Sequence, residues 1–446
     1  MRLVDGLRIT RESRVAIVGA GGKSSILFNL AQEYDHQVVL AATSHLCVDQ
    51  LAFAEKHQII EDVKDIEAVF REILPKSLLL TGRVGTLNRT RGIQPDQIAV
   101  IQRYCDELKL PLLIEADGSR QLPLKAPAAH EPPVPQGVNH VIVVVGLSAL
   151  GKPIGDDVVF RSELFCEVTG SKQGEPVNTE IIKRYLLADK GGLKNVPEGV
   201  RLSVFFNQID RVALSFDEME ALSRDLLERY DQVIWGNAGN EIPEQRIMRR
   251  FERIAGIVLA AGASTRFGKP KQLLDWCGKP FVWHVASKSL KAGCNPTVVV
   301  CGAYAEEVKK ALADLPVIIV ENPEWETGLS SSVKKGLQAA AQKSGAAIFL
   351  MSDVPQVPLS LIQTLIEKHR QSAGYIFSPV TQGEFVNPVL FDQWCFKDLM
   401  QLSGDRGGKV LFKKYPVITI EWDNVHDVRD IDHEEDYEWL MRGENG

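Results

Sequence analysis

The chain has no C-x-x-C pair, no apolar run long enough to span a bilayer and no excess of basic charge, and each absence removes a class of protein. Its seven cysteines, Cys47, Cys105, Cys166, Cys277, Cys294, Cys301 and Cys395, are odd in number and scattered, which supports neither a disulfide framework nor a paired-cysteine zinc site. Dispersed thiols suit a reducing compartment, so a cytoplasmic location is expected. The longest apolar stretch, residues 141–150, is about half the ~20 residues a membrane helix needs. No membrane partner is expected. The opening MRLVDGLRITRESR carries acidic residues and lacks the apolar segment of a signal peptide. With 51 basic against 58 acidic side chains the net charge is -7, which argues against nucleic acid as a partner and leaves room for local basic pockets.

What is present is an ordinary globular composition, 45% hydrophobic and 24% charged over 446 residues, enough for two or three domains of roughly 150 residues. Short β-branched runs alternate with helical patterns throughout, the habit of α/β sheets. Strands are expected in the first half at 15–18, 38–41, 77–80, 111–115, 140–145 and 202–207. In the second half they are expected at 257–259, 297–301, 317–320, 346–351, 375–378 and 417–421. Around Trp235 to Asn240 the pattern lapses into Gly and Asn, followed by a charged stretch through Arg253, and the boundary is placed there. Two domains follow, 1–250 and 251–446.

The most informative stretch is 257–274, IVLAAGASTRFGKPKQLL. An apolar strand runs into Leu259, Ala260, Ala261 and Gly262, small residues that let backbone N–H groups approach an anion. Ser264 and Gly268 continue the turn, and Arg266, Lys269 and Lys271 supply positive charge. Downstream, Asp353 in FLMSDVP follows an apolar strand that Val354-Pro355 stops, which leaves the carboxylate at the strand's C-terminal edge, where open α/β sheets bind ligands. ENPEWETG leads to Ser330, Ser331 and Ser332, equally readable as anion ligands or helix caps. FVNPV contains Asn387, and the GDRGG turn sets Arg406 between glycines, a shape suited to a phosphate. Asp427, Asp430 and Asp432 in HDVRDIDHEEDYEWL add hard oxygens of the kind Mg²⁺ accepts.

The spacing LAAG-x-S-x-R-x-G-x-x-K-x-LL resembles the signature of nucleotidyltransferases built on a Rossmann-like sheet, and most of all the molybdenum cofactor cytidylyltransferases; the related guanylyltransferases carry LAGG. The resemblance implies a Rossmann-like, GT-A-like C-terminal sheet and a Mg²⁺-dependent transfer of CMP from CTP to molybdopterin. It assigns catalysis to Arg266, Lys271 and Asp353, and metal binding to Asp353 with Asp432 or Asp430. Binding of nucleotide and acceptor falls to Leu259, Ala260, Ala261, Gly262, Ser264, Gly268, Asn322, Ser332, Asn387 and Arg406. The family pattern D-I-D-T-P-E-D reads here with His433-Glu434 in place of Thr-Pro.

The first half carries its own phosphate-type turn. Val15 to Val18 lead into Gly19, Gly21, Gly22, Lys23 and Ser24, a strand, a glycine turn and a helix start, although Ile17 stands where a strict P-loop has its first glycine. The strand ending in Glu115 and Asp117 is arranged like a metal-binding strand beside it. GAGGKSS, EADGSRQLPLKAPAAHEP and FNQID together resemble the selenium-dependent molybdenum hydroxylase accessory proteins over roughly residues 10 to 235. That resemblance implies a P-loop-like α/β sheet, a second nucleotide held at Gly19, Gly21, Gly22, Lys23 and Ser24, and a metal at Asp117. Gln208 stands where the family has Lys in N-K-x-D. His130-Glu131 reads either as an acid/base pair or as a solvated prolyl loop.

Together the halves imply a cytoplasmic cytidylyltransferase with a nucleotide-binding accessory domain, serving an apo-molybdenum hydroxylase as client. Two other readings fit the same residues. One is a cofactor carrier or insertion chaperone without turnover, and the other a nucleotidyltransferase that uses GTP or a sugar or alcohol phosphate.

Overall fold

Strands buried on both faces need unbroken apolar runs, and residues 15–18 and 141–145 supply them; His140–Gly146 has every residue buried. A computed structural model describes residues 1–85, 88–264 and 267–443. The chain forms two units, Met1–Phe251 and Glu252–Gly446. Among the described residues no helix is long and apolar enough to cross a membrane.

The first unit contains β1 (Arg14–Gly19), β2 (Val38–Ala42), β3 (Lys56–Ile59), β4 (Ser77–Thr81), β5 (Leu112–Glu115), β6 (Leu124–Lys125), β7 (His140–Gly146), β8 (Val159–Phe160), β9 (Arg201–Asn207), β10 (Gln232–Gly236) and β11 (Ile247–Glu252). Its main sheet runs β11-β10-β9-β7-β1-β5-β2-β4-β3. Central β1 pairs in parallel with β5 on one side and β7 on the other. The order departs in both directions from β1, so the turn after it sits at a topological switch point, the place where such sheets take ligands. The helix Lys23–Glu33 follows directly.

Strand β10 ends at Gly236, where the Gly and Asn lapse begins, and β11 lies within the charged stretch that follows. In β11, IMRRFE, Ile247 and Phe251 are buried while Arg249 and Arg250 interrupt the apolar pattern. Two central arginines hide a strand whose pairing, not its composition, makes it one.

The second unit contains β12 (Ile254–Ala260), β13 (Asp275–Trp276), β14 (Lys279–Pro280), β15 (Thr297–Cys301), β16 (Ile318–Glu321), β17 (Ala346–Met351), β18 (Ile376–Thr381), β19 (Glu384–Phe385), β20 (Val389–Asp392) and β21 (Val417–Glu421). The sheet order is β16-β15-β12-β17-β20-β18-β19, with β21 beside β18. β12 is parallel to β15 and β17, whereas β20 enters antiparallel. Alternate residues of β12 feed two cores: Val258 and Ala260 join Val282, Val285 and Leu361 on one face, and Ile257 and Leu259 join Val333 and Leu337 on the other. Helices thus cover both faces. The C-terminal ends of β12, β15 and β17 are left to form a crevice.

Candidate active site

At that edge β17 stops after Met351, and the next turn is tied back by Ser352 N–H donating to the Leu259 carbonyl at 3.2 Å. The turn presents Asp353. The backbone N–H of Ile431 donates to the Asp353 carbonyl at 3.0 Å, which docks the late Asp430-Ile431-Asp432 stretch onto the same turn. Asp436 accepts from the N–H groups of Asp432 and His433 at 3.1 and 2.8 Å. Its carboxylate at the start of the helix Glu434–Met441 therefore fixes the path through His433-Glu434.

Lys271 reaches this turn from the other side. Its Nζ donates to Asp353 Oδ2 at 3.0 Å and to Asp432 Oδ1 at 2.7 Å. Burial works against the ammonium charge, but Asp353 and Asp432 outweigh it and raise the Lys271 pKa. The other oxygen, Asp353 Oδ1, is buried without a hydrogen-bond partner. An ionised carboxylate oxygen left so is costly unless a ligand completes it. Asp430 is exposed as a residue, yet desolvation of its carboxyl and the charges of Asp353 and Asp432 push its pKa up to about 6. Among the described residues Asp353, Asp430 and Asp432 meet at this edge, with Lys271 bridging two of them and Lys409 acting on the third.

The glycine-rich loop is clasped at both ends. Ser264, at φ +53°, accepts from the Lys271 N–H at 3.0 Å, and Gln272 Nε2 donates to the Gly262 carbonyl at 3.1 Å. Between the loop and Asp353 lies a cleft of about 710 Å³, lined by Ala261, Gly262, Phe267, Lys271, Trp325, Ser332, Asp353, Asp405 and Asp432 among others. The GDRGG turn builds its far wall. Asp405 Oδ1 accepts from Leu329 N–H at 3.3 Å, at the start of the helix Leu329–Ala340. Gly328, at φ +112°, passes so close that a Cβ would lie 2.5 Å from the Gly404 carbonyl carbon. A neighbouring pocket of about 230 Å³ shares Leu259, Leu329 and Met351 with the cleft and adds Phe349, Phe391, Asn387 and Lys409.

The first unit has a separate cavity of about 250 Å³ over the turn after β1, lined by Gly21, Gly22, Lys23, Ser24, Glu115 and Gln208 among others. Lys23 Nζ donates to the Gly19 carbonyl at 2.7 Å and to Ser119 Oγ at 3.3 Å. Ser24 Oγ donates to Glu115 Oε2 at 2.7 Å. Asp117 is turned away, with Oδ2 accepting from Gly19 N–H at 3.2 Å and from Lys125 Nζ at 2.8 Å.

The chain matches the family described as MobA-like NTP transferase domain over residues 256–419 and the YqeC protein family over residues 15–163. It is 31% identical over 249 residues to the YqeC protein of Escherichia coli, covering 54% of this chain and 92% of that one. The chain belongs to both families, YqeC in its first unit and MobA-like NTP transferase in its second. It is also 32% identical over 173 residues to nicotine blue oxidoreductase of Paenarthrobacter nicotinovorans, covering 36% of this chain and 83% of that protein. Among solved structures, Rv0371c of Mycobacterium tuberculosis is 26% identical with a TM-score of 0.39, covering 43% of this chain and 98% of its own. It is the family match over residues 256–419 that makes the second unit a MobA-like nucleotidyltransferase domain.

In the MobA-like unit the cleft brings together Leu259, Ala261, Gly262, Ser264, Lys271, Ser332, Asp353 and Asp432. Ala260 is buried just behind the cleft, and Gly268 turns the loop at φ +74°. Asn322 is 1% exposed and works behind the wall, its Nδ2 donating to Ser331 and Ser332 Oγ at 2.8 and 3.0 Å. Asn387 lines the neighbouring pocket, and Arg406 is exposed and lines neither. Arg266 lies outside the described residues. Phe267, Trp325 and Asp405 also line the cleft; nothing local in the sequence marks Asp405, whose partner lies 76 residues away.

A buried trio, Glu252, His369 and Asp392, places one potential ligand atom each within 4.8 Å of the others, and it is the one such set among the described residues. Asp392 pairs with Ala346 at the start of β17, the edge opposite Asp353, and His369 Nε2 lies 2.9 Å from Asp392 Oδ2. The trio therefore lies at the far end of β17 from the cleft.

In the YqeC unit His130 is exposed, and Glu131 is held by Lys125 at 3.0 Å and Arg161 at 2.7 Å. Burial opposes the Glu131 charge, but Arg161 and Lys125 bring its pKa down to about 2 from the ordinary 4.5. A carboxylate so stabilised is a poor base, so the prolyl-loop reading of His130-Glu131 is the one the geometry supports. A lowered folded pKa adds stability that is fully present above the unfolded value and lost as pH falls through the folded one. Glu131→Gln is expected to cost at most about 3 kcal/mol near neutral pH and roughly half of that near pH 3. Urea unfolding across that range checks it. A difference from wild type that does not change with pH would contradict the ion-pair account.

Proposed function

We propose that the MobA-like unit transfers CMP from CTP to molybdopterin, with release of pyrophosphate, in the cytoplasmic maturation of a molybdenum hydroxylase client. The observation that carries this reading is the Lys271–Asp353–Asp432 arrangement at the strand edge, with the buried Asp353 Oδ1 lacking a protein partner. A carboxylate oxygen in that state fits a divalent cation, and Asp353 with Asp432 would hold Mg²⁺, Asp430 standing beside them. When bound, the cation neutralises charge on the triphosphate.

The chain's own groups do the rest. Backbone N–H groups of the 261–264 loop receive phosphate oxygens, and Lys271, drawn from the carboxylates to the phosphates, meets the charge that develops on the leaving pyrophosphate. Arg266 is assigned to the same task. A terminal phosphate oxygen of molybdopterin forms the new bond to the α-phosphorus as the bond from that phosphorus to the β-phosphate oxygen breaks. No covalent intermediate on the enzyme is needed. The apolar pocket beside the cleft, with Phe349, Phe391, Asn387 and Lys409, suits the flat pterin of the acceptor, and Arg406 lies on the turn that would cover it.

Ala261, 6% exposed in the cleft wall, carries the base preference in this reading, because its methyl takes space that a purine would need. Pyrophosphate release should be fastest with Mg²⁺, molybdopterin and CTP. Ala261→Gly should shift the CTP-to-GTP ratio of kcat/KM toward GTP by about tenfold, the scale of one methyl group in a pocket. Faster turnover of the wild type with GTP, or with a sugar phosphate as acceptor, would refute the substrate assignment.

A further inference from the structure

We propose that the YqeC unit binds a nucleoside triphosphate as its divalent-cation complex, with the Ser24 hydroxyl and the Glu115 carboxylate as the cation's protein ligands and Lys23 on the phosphates. The site is independent of the transferase cleft and of what that cleft transfers.

The cradle is built for close approach. Gly21 and Gly22 sit at φ +83° and +127°, and a Cβ on Gly21 would lie 2.4 Å from Gly146 Cα. At Gly22 it would lie 2.1 Å from Asn207 Nδ2. Asn207 in turn pins the loop, donating to the Gly21 carbonyl at 2.8 Å and accepting from Ala238 N–H at 2.8 Å. The backbone amides that open the helix Lys23–Glu33 are therefore fixed before any ligand arrives, which lowers the cost of binding an anion.

The charges in the cavity divide into two groups. Lys23 is 4% exposed and Glu115 5%, and both line the cavity; Lys23 has Asp117 as a counter-charge at 3.4 Å, whereas the Glu115 carboxylate faces the cavity, where a cation would offset the cost of its burial. Ser24 Oγ and Glu115 Oε2 lie 2.7 Å apart on the same wall. Two hard oxygens of this kind are the protein share of a Mg²⁺ shell, which phosphate and water complete. Asp117, the residue the sequence pattern favours for metal, has Oδ2 bound to Lys125 and the Gly19 N–H and Oδ1 buried 3.4 Å from Lys23 Nζ without a hydrogen-bond partner, and it does not line the cavity. Arg89 and Arg120 stand at the cavity wall as well. Lys23, Arg89, Arg120 and a divalent cation, set against Glu115 and the Asp117 behind Lys23, balance a triphosphate better than a monophosphate.

The test uses the full chain, Mg²⁺ and β,γ-imido-ATP, read by peptide-resolved hydrogen–deuterium exchange so that the two units report separately. Wild type should show slowed exchange across residues 19–27 only when both nucleotide and Mg²⁺ are present. Lys23→Ala should abolish it. Glu115→Gln and Ser24→Ala should each weaken nucleotide binding at least tenfold in Mg²⁺ while leaving the weak binding in EDTA unchanged. Ser24→Ala, which removes only one half-exposed hydroxyl, keeps the test valid should Glu115→Gln fail to fold. Protection that is absent, indifferent to Mg²⁺, or retained in Ser24→Ala at wild-type affinity would overturn the proposal, whatever happens at residues 261–271.

Discussion

Asp353→Ala is expected to lower kcat for pyrophosphate release by about 10³-fold or more, the scale seen when a preorganised electrostatic group is taken from a transition state. The carboxylate has two assignments at once: Oδ2 receives Lys271 at 3.0 Å, and Oδ1 is the buried oxygen with no protein partner. Removing it deletes the proposed cation ligand and leaves Lys271 to pair with Asp432 alone. Asp353→Asn keeps the shape and one oxygen, so it separates the metal role from packing. Its turnover should recover partly at high Mg²⁺ or Mn²⁺, with the half-saturating metal concentration raised. Thermal unfolding of both variants should stay close to wild type, because deleting a buried, unpartnered oxygen removes a cost as well as contacts. A variant that is well folded and turns over at more than a tenth of the wild-type rate would remove Asp353 from the chemistry.

Lys271→Met is expected to reduce kcat by about 10²-fold, and its signature differs from that of Asp353. In the ligand-free protein Lys271 occupies the space between Asp353 and Asp432 and competes with any cation for the same oxygens. Without it Asp353 and Asp432 lose the ammonium that pairs them. The metal concentration at half-saturation should therefore fall or stay level while kcat drops, the opposite of the Asp353→Asn pattern. A lysine that only held the late Asp430–Asp432 stretch in place would behave otherwise, with stability lost and kcat per folded molecule preserved. Titration of Mn²⁺ by its paramagnetic signal alongside steady-state rates distinguishes the two.

Much of this site is legible in the chain because its parts are local. The strand 257–259, the small residues after it and Lys271 lie within a few positions, and Asp353 is marked by an apolar strand that Pro355 ends. The two α/β sheets are legible for the same reason, since β12, β15 and β17 are continuous apolar runs. What escapes is made by partners far apart in sequence. Asp405 and Gly328 look like loop residues until the GDRGG turn meets the start of the helix Leu329–Ala340. Asn322 reads as a ligand but braces two serines from behind. Strand β11 hides behind Arg249 and Arg250, and β20, only four residues long, hides in a loop signature. In the first unit, the pattern EAD offers two carboxylates, and only the fold tells that Asp117 Oδ2 is taken by Lys125 while Glu115 faces the cavity. Local periodicity reveals strands and loops; charge pairing across the sheet decides which carboxylate is available.

The central claim is that the second unit joins a nucleotide to an acceptor phosphate. Incubation of the full chain with Mg²⁺, molybdopterin and CTP labelled at the α-phosphorus tests it directly. The account predicts that label moves into the acceptor in one-to-one ratio with pyrophosphate released, and that Asp353→Ala slows this transfer by about 10³-fold or more. Label that stays in CTP, or that appears as free CMP while the acceptor remains unlabelled, would contradict it.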